Sequence, residues 1–105
     1  MLVQNSLYDP TLYSFLEARI LRLLIAHARK YREHFYGLAV KNIYRFLDLH
    51  PNRKTISEVN QALRNLERDG LVFSRSNPNR RRWFATPQAI AAHISLEQRS
   101  IEEFM

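Results

Sequence analysis

The side chains of this 105-residue chain that could do chemistry are arginines and amides, and they fall into two groups. The first is RSNPNRRRW, residues 75–83, where Arg75, Arg80, Arg81 and Arg82 surround a turn-forming Asn-Pro-Asn. The second is TISEVNQALRNLER, residues 55–68, in which Ser57, Asn60, Gln61, Arg64 and Arg68 recur at helical spacing. A guanidinium is always charged and grips phosphate, or guanine O6 and N7, through a planar fork. Asn and Gln amides match the N6 and N7 edge of adenine. Both groups have the chemistry to hold a polyanion and to read base edges.

Other chemistries lack their residues. No nucleophile stands beside a base, and the two glycines are isolated, so there is no glycine-rich phosphate loop. Every carboxylate has a capping or surface explanation, so catalytic residues and enzyme activity are not expected. His27, His34, His50 and His93 form no i, i+4 pair, and there is no cysteine. Metal sites, disulfides and any cofactor are therefore not expected.

Charge supports the polyanion reading. Sixteen Lys and Arg against ten Asp and Glu give net +6, with thirteen arginines to three lysines. Residues 53–82 hold eight basic and three acidic side chains, residues 1–52 seven and four, and residues 83–105 one and three. A basic middle with an acidic end points to one polyanion-binding face and one end left for other contacts. The N-terminus MLVQNSLYDP is not patterned as a signal peptide, and LRLLIAHA is too short to cross a bilayer. The expectation is a cytoplasmic protein with no membrane partner.

The elements that must position these residues are legible in outline. Asp9-Pro10 predicts the start of a first helix, with Leu12, Leu16, Ile20, Leu23, Leu24 and His27 along one face, running toward KYREH. Gly37 marks a turn or short extended piece. Residues 39–49 predict a second helix with Val40, Ile43, Leu47 and either Tyr44 or Phe46 inward, stopped by His50-Pro51-Asn52. Thr55 with Glu58 predicts a capping box for a third helix, with Ile56, Val59, Leu63 and Leu66 inward and Asp69-Gly70 at its end. LVFSRS and RRRWFAT predict two strands around NPNR, a hairpin with a four-residue class of loop. Phe73 and Trp83 are expected in the core. Thr86-Pro87 opens a last helix, which Ser95 and Gln98 allow to bend.

Three helices followed by a hairpin and a further helix make a mainly α chain with a small β wing (α+β), the order of a winged helix-turn-helix. The stretch VNQALRNLERDGLVFSRSNPNRRRWFATPQA resembles the recognition helix and wing of bacterial and archaeal winged-helix transcription regulators. Upstream, ILRLLIAHARKYREHFYGLAVKNIYRFL is similar to the start of PadR-type regulators, in which an aromatic- or His-Gly pair precedes the second helix. MarR-type proteins share the ALRxLExxGLV and Thr-Pro features and are the second resemblance. Where the PadR pattern often has Tyr-Pro before Ala-Leu, this chain has Asn60-Gln61, and KYREH is longer than usual.

The resemblance implies a dimeric transcriptional regulator, a repressor in its simplest form, bound to double-stranded DNA. Ser57, Asn60, Gln61, Arg64 and Arg68 would read bases, with Glu58 serving its cap. Arg53, Lys54 and Thr55 would hold backbone phosphate at the helix N-terminus, with Lys41 and Arg45 in support. Arg75, Arg80, Arg81 and Arg82 would form the wing contacts. Because strand residues alternate faces, Arg80 and Arg82 are the favoured pair over Arg81. Residues 1–86 would be the DNA-binding domain with an N-terminal extension. Residues 87–105 would be a dimerisation helix through Ile90, Ile94, Ile101 and Phe104, unless it folds back on its own domain. Leu2, Val3, Leu7 and Tyr8 are apolar enough to join that interface. No residues point to a small-molecule effector. The rival reading is a winged helix serving as an interaction or RNA-associated module of a larger assembly, its arginines a solvated edge or a polyanion patch.

Overall fold

A computed structural model describes residues 13–77 and 80–104, with backbone alone for Asn77 and residues 99–104. Helix α1 spans Phe15–Tyr31 and is followed by a 3-10 turn at Arg32–His34. Helix α2 is Val40–Phe46, α3 is Arg53–Arg68, strands β1 and β2 are Val72–Asn77 and Arg80–Ala85, and α4 is Pro87–Phe104.

α1 starts at its own cap. The Ser14 side chain accepts from Glu17 N–H, and Glu17 returns the bond to the Ser14 N–H, a complete capping box. The expected Asp9-Pro10 start, with Leu12, lies outside the described residues. Ile20, Leu21, Leu24 and Ile25 are fully buried, so α1 is the central rod of the core rather than a one-faced surface helix.

α2 is shorter than expected. It ends before Leu47, and Asp48 takes a left-handed φ of 56°, so the chain has already turned before Pro51 could stop it. Ile43 and Leu47 are buried, Tyr44 is half-buried, and Phe46 is 54% exposed, which settles the inward choice on Tyr44.

α3 departs from expectation at its start. Its cap is Asn52, whose Oδ1 accepts from Thr55 N–H at 2.9 Å, so Thr55 is a first-turn residue and the Thr55/Glu58 box does not form. Val59, Ala62, Leu63 and Leu66 carry the buried stripe, whereas Ile56 is 40% exposed. Ile56 lies about a turn before Val59, where burial along the helix begins. Gly70, at φ 75°, ends α3 as expected, and the Leu71 N–H bonds back to Leu66 O at 2.9 Å.

The hairpin pairs Val72 with Ala85 through to Asn77 with Arg80. Pairing thus runs further than the four-residue loop expected, leaving only positions 78 and 79, outside the described residues, between the paired ends. Trp83 is buried and shares a backbone bridge with Leu38, at 3.0 and 2.8 Å, which ties the wing to the segment between α1 and α2. Phe73 is not core. It is half-buried on the other face, stacked on Phe84 with centroids 5.0 Å apart, because strand alternation gives the inward face to Val72 and Trp83.

α4 starts at the expected cap, with Thr86 Oγ1 accepting from Ala89 N–H at 3.1 Å. It runs past Ser95 as one continuous helix. Ala89 is buried, and Ile90, Ala92 and Leu96 pack on the core. Arg29 on α1 and Glu97 on α4 form an ion pair at 2.9 Å.

Candidate nucleic-acid interface

Burial on α3 divides its polar residues. Arg53, Lys54, Ile56, Ser57 and Glu58 are all exposed, so the first turn and a half of the helix stands clear of the core. Behind this free end, Asn60, Gln61, Arg64 and Arg68 continue the exposed face opposite Val59, Leu63 and Leu66. This is the shape a helix needs to enter a groove: a projecting N-terminal end and a polar side backed by rigid packing.

The five expected base-reading residues are therefore together on one surface, but they are not equivalent. Ser57 and Arg68 are eleven positions apart, roughly 16 Å along the axis. Arg68 also lies 3.4 Å from Asp69. Gln61 Nε2 donates to Asn65 Oδ1 at 3.0 Å, and Asn65 Nδ2 donates to Glu17 Oε2 at 2.8 Å. Asn60 and Arg64 carry an exposed amide and an exposed guanidinium on the same face. Ile56 was misplaced by periodicity. Exposed on the projecting turn, it offers an apolar surface of the kind that meets a thymine methyl group. The sequence signal was Asn52, whose capping role moves the helix start back and leaves Ile56 ahead of the covered region.

The phosphate-side residues also fall as a set. Arg53 and Lys54 are exposed at the α3 N-terminus, Thr55 is half-buried behind them, and Lys41 and Arg45 are exposed on α2. On the wing, Arg75, Arg80 and Arg82 share one face with Phe73 and Phe84, while Arg81 faces the other way with Ser76 and Trp83. Arg80 and Arg81 are exposed. Arg75 lies over the Phe73 and Phe84 rings at 5.6 and 5.8 Å. Arg82 is half-buried and donates to Gly37 O at 3.3 Å, so it anchors the wing as well as charging it.

Two further groups position the frame. Tyr13 donates to Asp69 Oδ2 at 3.0 Å, joining the approach to α1 with the end of α3. Burial, and then this bond, push the Tyr13 phenol up to about 12, so it stays a donor. Arg19 donates to Leu47 O at 2.9 Å, pinning α2 to α1.

Among the described residues no cluster of His, Asp or Glu is arranged to hold a metal ion, and no helix is long and apolar enough to cross a membrane. Of the expected dimer residues, Ile90 packs inward and Ile94 is half-buried. The side chains of Ile101 and Phe104, and residues Leu2, Val3, Leu7 and Tyr8, lie outside the described set.

The sequence matches no protein-family model and no curated protein. Its structure is similar to that of MepR, a transcription regulator of the Staphylococcus aureus multidrug efflux pump MepA. The TM-score is 0.59 at 20% identity, with 95% of this chain and 75% of MepR covered. A MepR variant from a multidrug-resistant S. aureus clinical isolate gives a TM-score of 0.62 at 20% identity over 88% of this chain, which spans 62% of that protein. F-93 of SSV1 gives 0.52 at 22% identity, covering 88% of this chain and 91% of F-93. At 20–22% identity these likenesses speak to the fold. With the four helices and the antiparallel hairpin, they establish its architecture as the winged-helix α+β fold.

Proposed function

We propose that this chain is a sequence-specific, double-stranded-DNA-binding transcriptional regulator. One observation carries the reading: the projecting N-terminal end of α3, with its exposed amide and arginine face, stands on the same molecule as an arginine-tipped wing. Ser57, Asn60, Gln61 and Arg64 read base edges, with Ile56 as an apolar contact. Arg68, further along the helix and beside Asp69, serves the flank. Arg53, Lys54 and Thr55 hold backbone phosphate, and Arg75, Arg80 and Arg82, on one face of the wing, extend the grip, with Arg81 charging the other face near the tip. MepR, with which the fold is shared, is itself a transcription regulator, which favours DNA over a protein or RNA partner.

Residues 1–86 act in this reading as the DNA-binding unit and residues 87–105 as the dimerisation helix that meets a second copy. The dimer represses by covering an inverted repeat in the cytoplasm. No effector or cofactor enters the account.

Anisotropy titrations at two salt concentrations test it. The R64A variant should lose about 1–3 kcal/mol on the preferred duplex and little on random duplex. The double variant R75A/R80A should weaken binding to all duplexes and flatten the salt dependence by about one unit per lost phosphate contact. Unchanged affinity in both variants contradicts the docking assigned to α3 and the wing.

A further inference from the structure

Glu17 is the one buried charged side chain among the described residues, 8% exposed, and it sits on α1 rather than on the DNA-facing helix. Its Oε1 accepts from the Ser14 N–H at 2.8 Å, and its Oε2 accepts from Asn65 Nδ2, also at 2.8 Å. A carboxylate accepts and does not donate, so Asn65 must turn its NH2 inward and its carbonyl Oδ1 outward. That oxygen takes a hydrogen from Gln61 Nε2 at 3.0 Å, and Gln61 is exposed on the face assigned to base reading. The direction of every bond is therefore dictated from the buried end. An amide pair at i, i+4 alone would only brace a helix surface. This one is anchored in the core and ends at the interface.

The consequence lies in what Gln61 presents. An untethered glutamine amide turns either edge outward. With one Nε2 hydrogen held by Asn65, Gln61 keeps Oε1 and the second Nε2 hydrogen side by side, an acceptor next to a donor. Adenine offers the complement in the major groove, N6–H and N7, whereas guanine offers two acceptors. Resting on the reading of α3 as the recognition helix, we propose that the Glu17–Asn65–Gln61 relay fixes the hydrogen-bond polarity of Gln61 and selects adenine at one position of each half-site. Glu17 and Asn65 are positioning residues, and Gln61 makes the contact.

The E17Q variant reverses the relay. A glutamine at 17 still accepts from Ser14 through its oxygen, but presents NH2 to Asn65, which then turns Oδ1 inward and NH2 outward. Gln61 in turn bonds through Oε1 and shows only donors, the complement of guanine. The N65A variant cuts the relay while leaving the Ser14–Glu17 cap intact.

The test measures affinity for every single-base-pair variant of the selected site, with melting temperatures as the check on folding. Wild type should favour adenine over guanine at one position per half-site by roughly tenfold. Q61A and N65A should erase that preference and leave the other positions unchanged. E17Q should move it toward guanine, with affinity for random duplex unaltered. Preference that survives in N65A, or loss spread evenly over all positions, overturns the relay. If E17Q does not fold, N65A decides alone. A wild type that discriminates at no position contradicts the recognition-helix reading and the relay with it. Discrimination that Q61A leaves untouched at every position sinks the relay only.

Discussion

The two glycines of the chain share a left-handed backbone but stand in opposite surroundings. Gly37, at φ 83°, would place a Cβ 2.8 Å from both Arg82 Cβ and Phe84 Cζ, closer than real Cβ contacts come. Gly70, at φ 75°, would place one in open space. Gly37→Ala should therefore combine backbone strain with a collision at the wing base and cost about 2–3 kcal/mol. Gly70→Ala carries only the left-handed penalty, about 1 kcal/mol. Urea midpoints of the two variants check the ordering, and equal losses would contradict the packing at Gly37. Because Arg82 is also bonded to Gly37 O, the same contact fixes where the wing arginines point. A glycine remote from α3 is thus a determinant of the interface.

At the scale of elements, α4 is held by the Arg29–Glu97 pair beyond its apolar contacts. The hydrogen bond from Arg29 is the main cause holding the Glu97 carboxyl below its ordinary value of 4.5, with the charges of Arg29 and His93 assisting. A depressed folded-state value means the contribution is complete above 4.5 and is lost as pH falls below it. Melting curves of wild type and E97Q should therefore be separated at neutral pH and converge under acid. Separation that persists or grows in acid would contradict the pairing. How far such elements were legible in sequence depended on whether a local signal had a competitor. Thr86-Pro87 and Asp69-Gly70 gave the start of α4 and the end of α3 correctly, since one cap and one left-handed glycine decide each. At the start of α3, Asn52 and Thr55 are both good caps, and only tertiary contact chooses between them. Choosing Thr55 placed Ile56 in the core. Leu21 and Ile25 were missed because α1 is covered on more than one side, so a single stripe undercounts its burial. The polar face of α3 was readable residue by residue, but the bonds from Glu17 to Asn65 to Gln61 join residues up to 48 positions apart and leave no periodic trace.

Over the whole molecule, charge is unevenly placed along the chain. The basic residues of 53–82 gather on α3 and the wing, while the acidic end of the chain follows α4. Ile94, half-buried on α4, belongs to the residues proposed to meet a second copy. Ile94→Asp should shift the species seen in sedimentation from dimer to monomer and leave the melting of the folded monomer largely in place. A wild type that sediments as a monomer at all concentrations contradicts the dimer. Both surfaces converge on one measurement, the selection of bound duplexes from a random-sequence pool, with winners titrated at two salt concentrations. The account predicts an inverted repeat with half-sites about 10 base pairs apart, bound on the order of 10³-fold more tightly than random duplex. Recovery of no motif, with weak binding that falls steeply with salt, would contradict it and reduce α3 and the wing to a general polyanion surface.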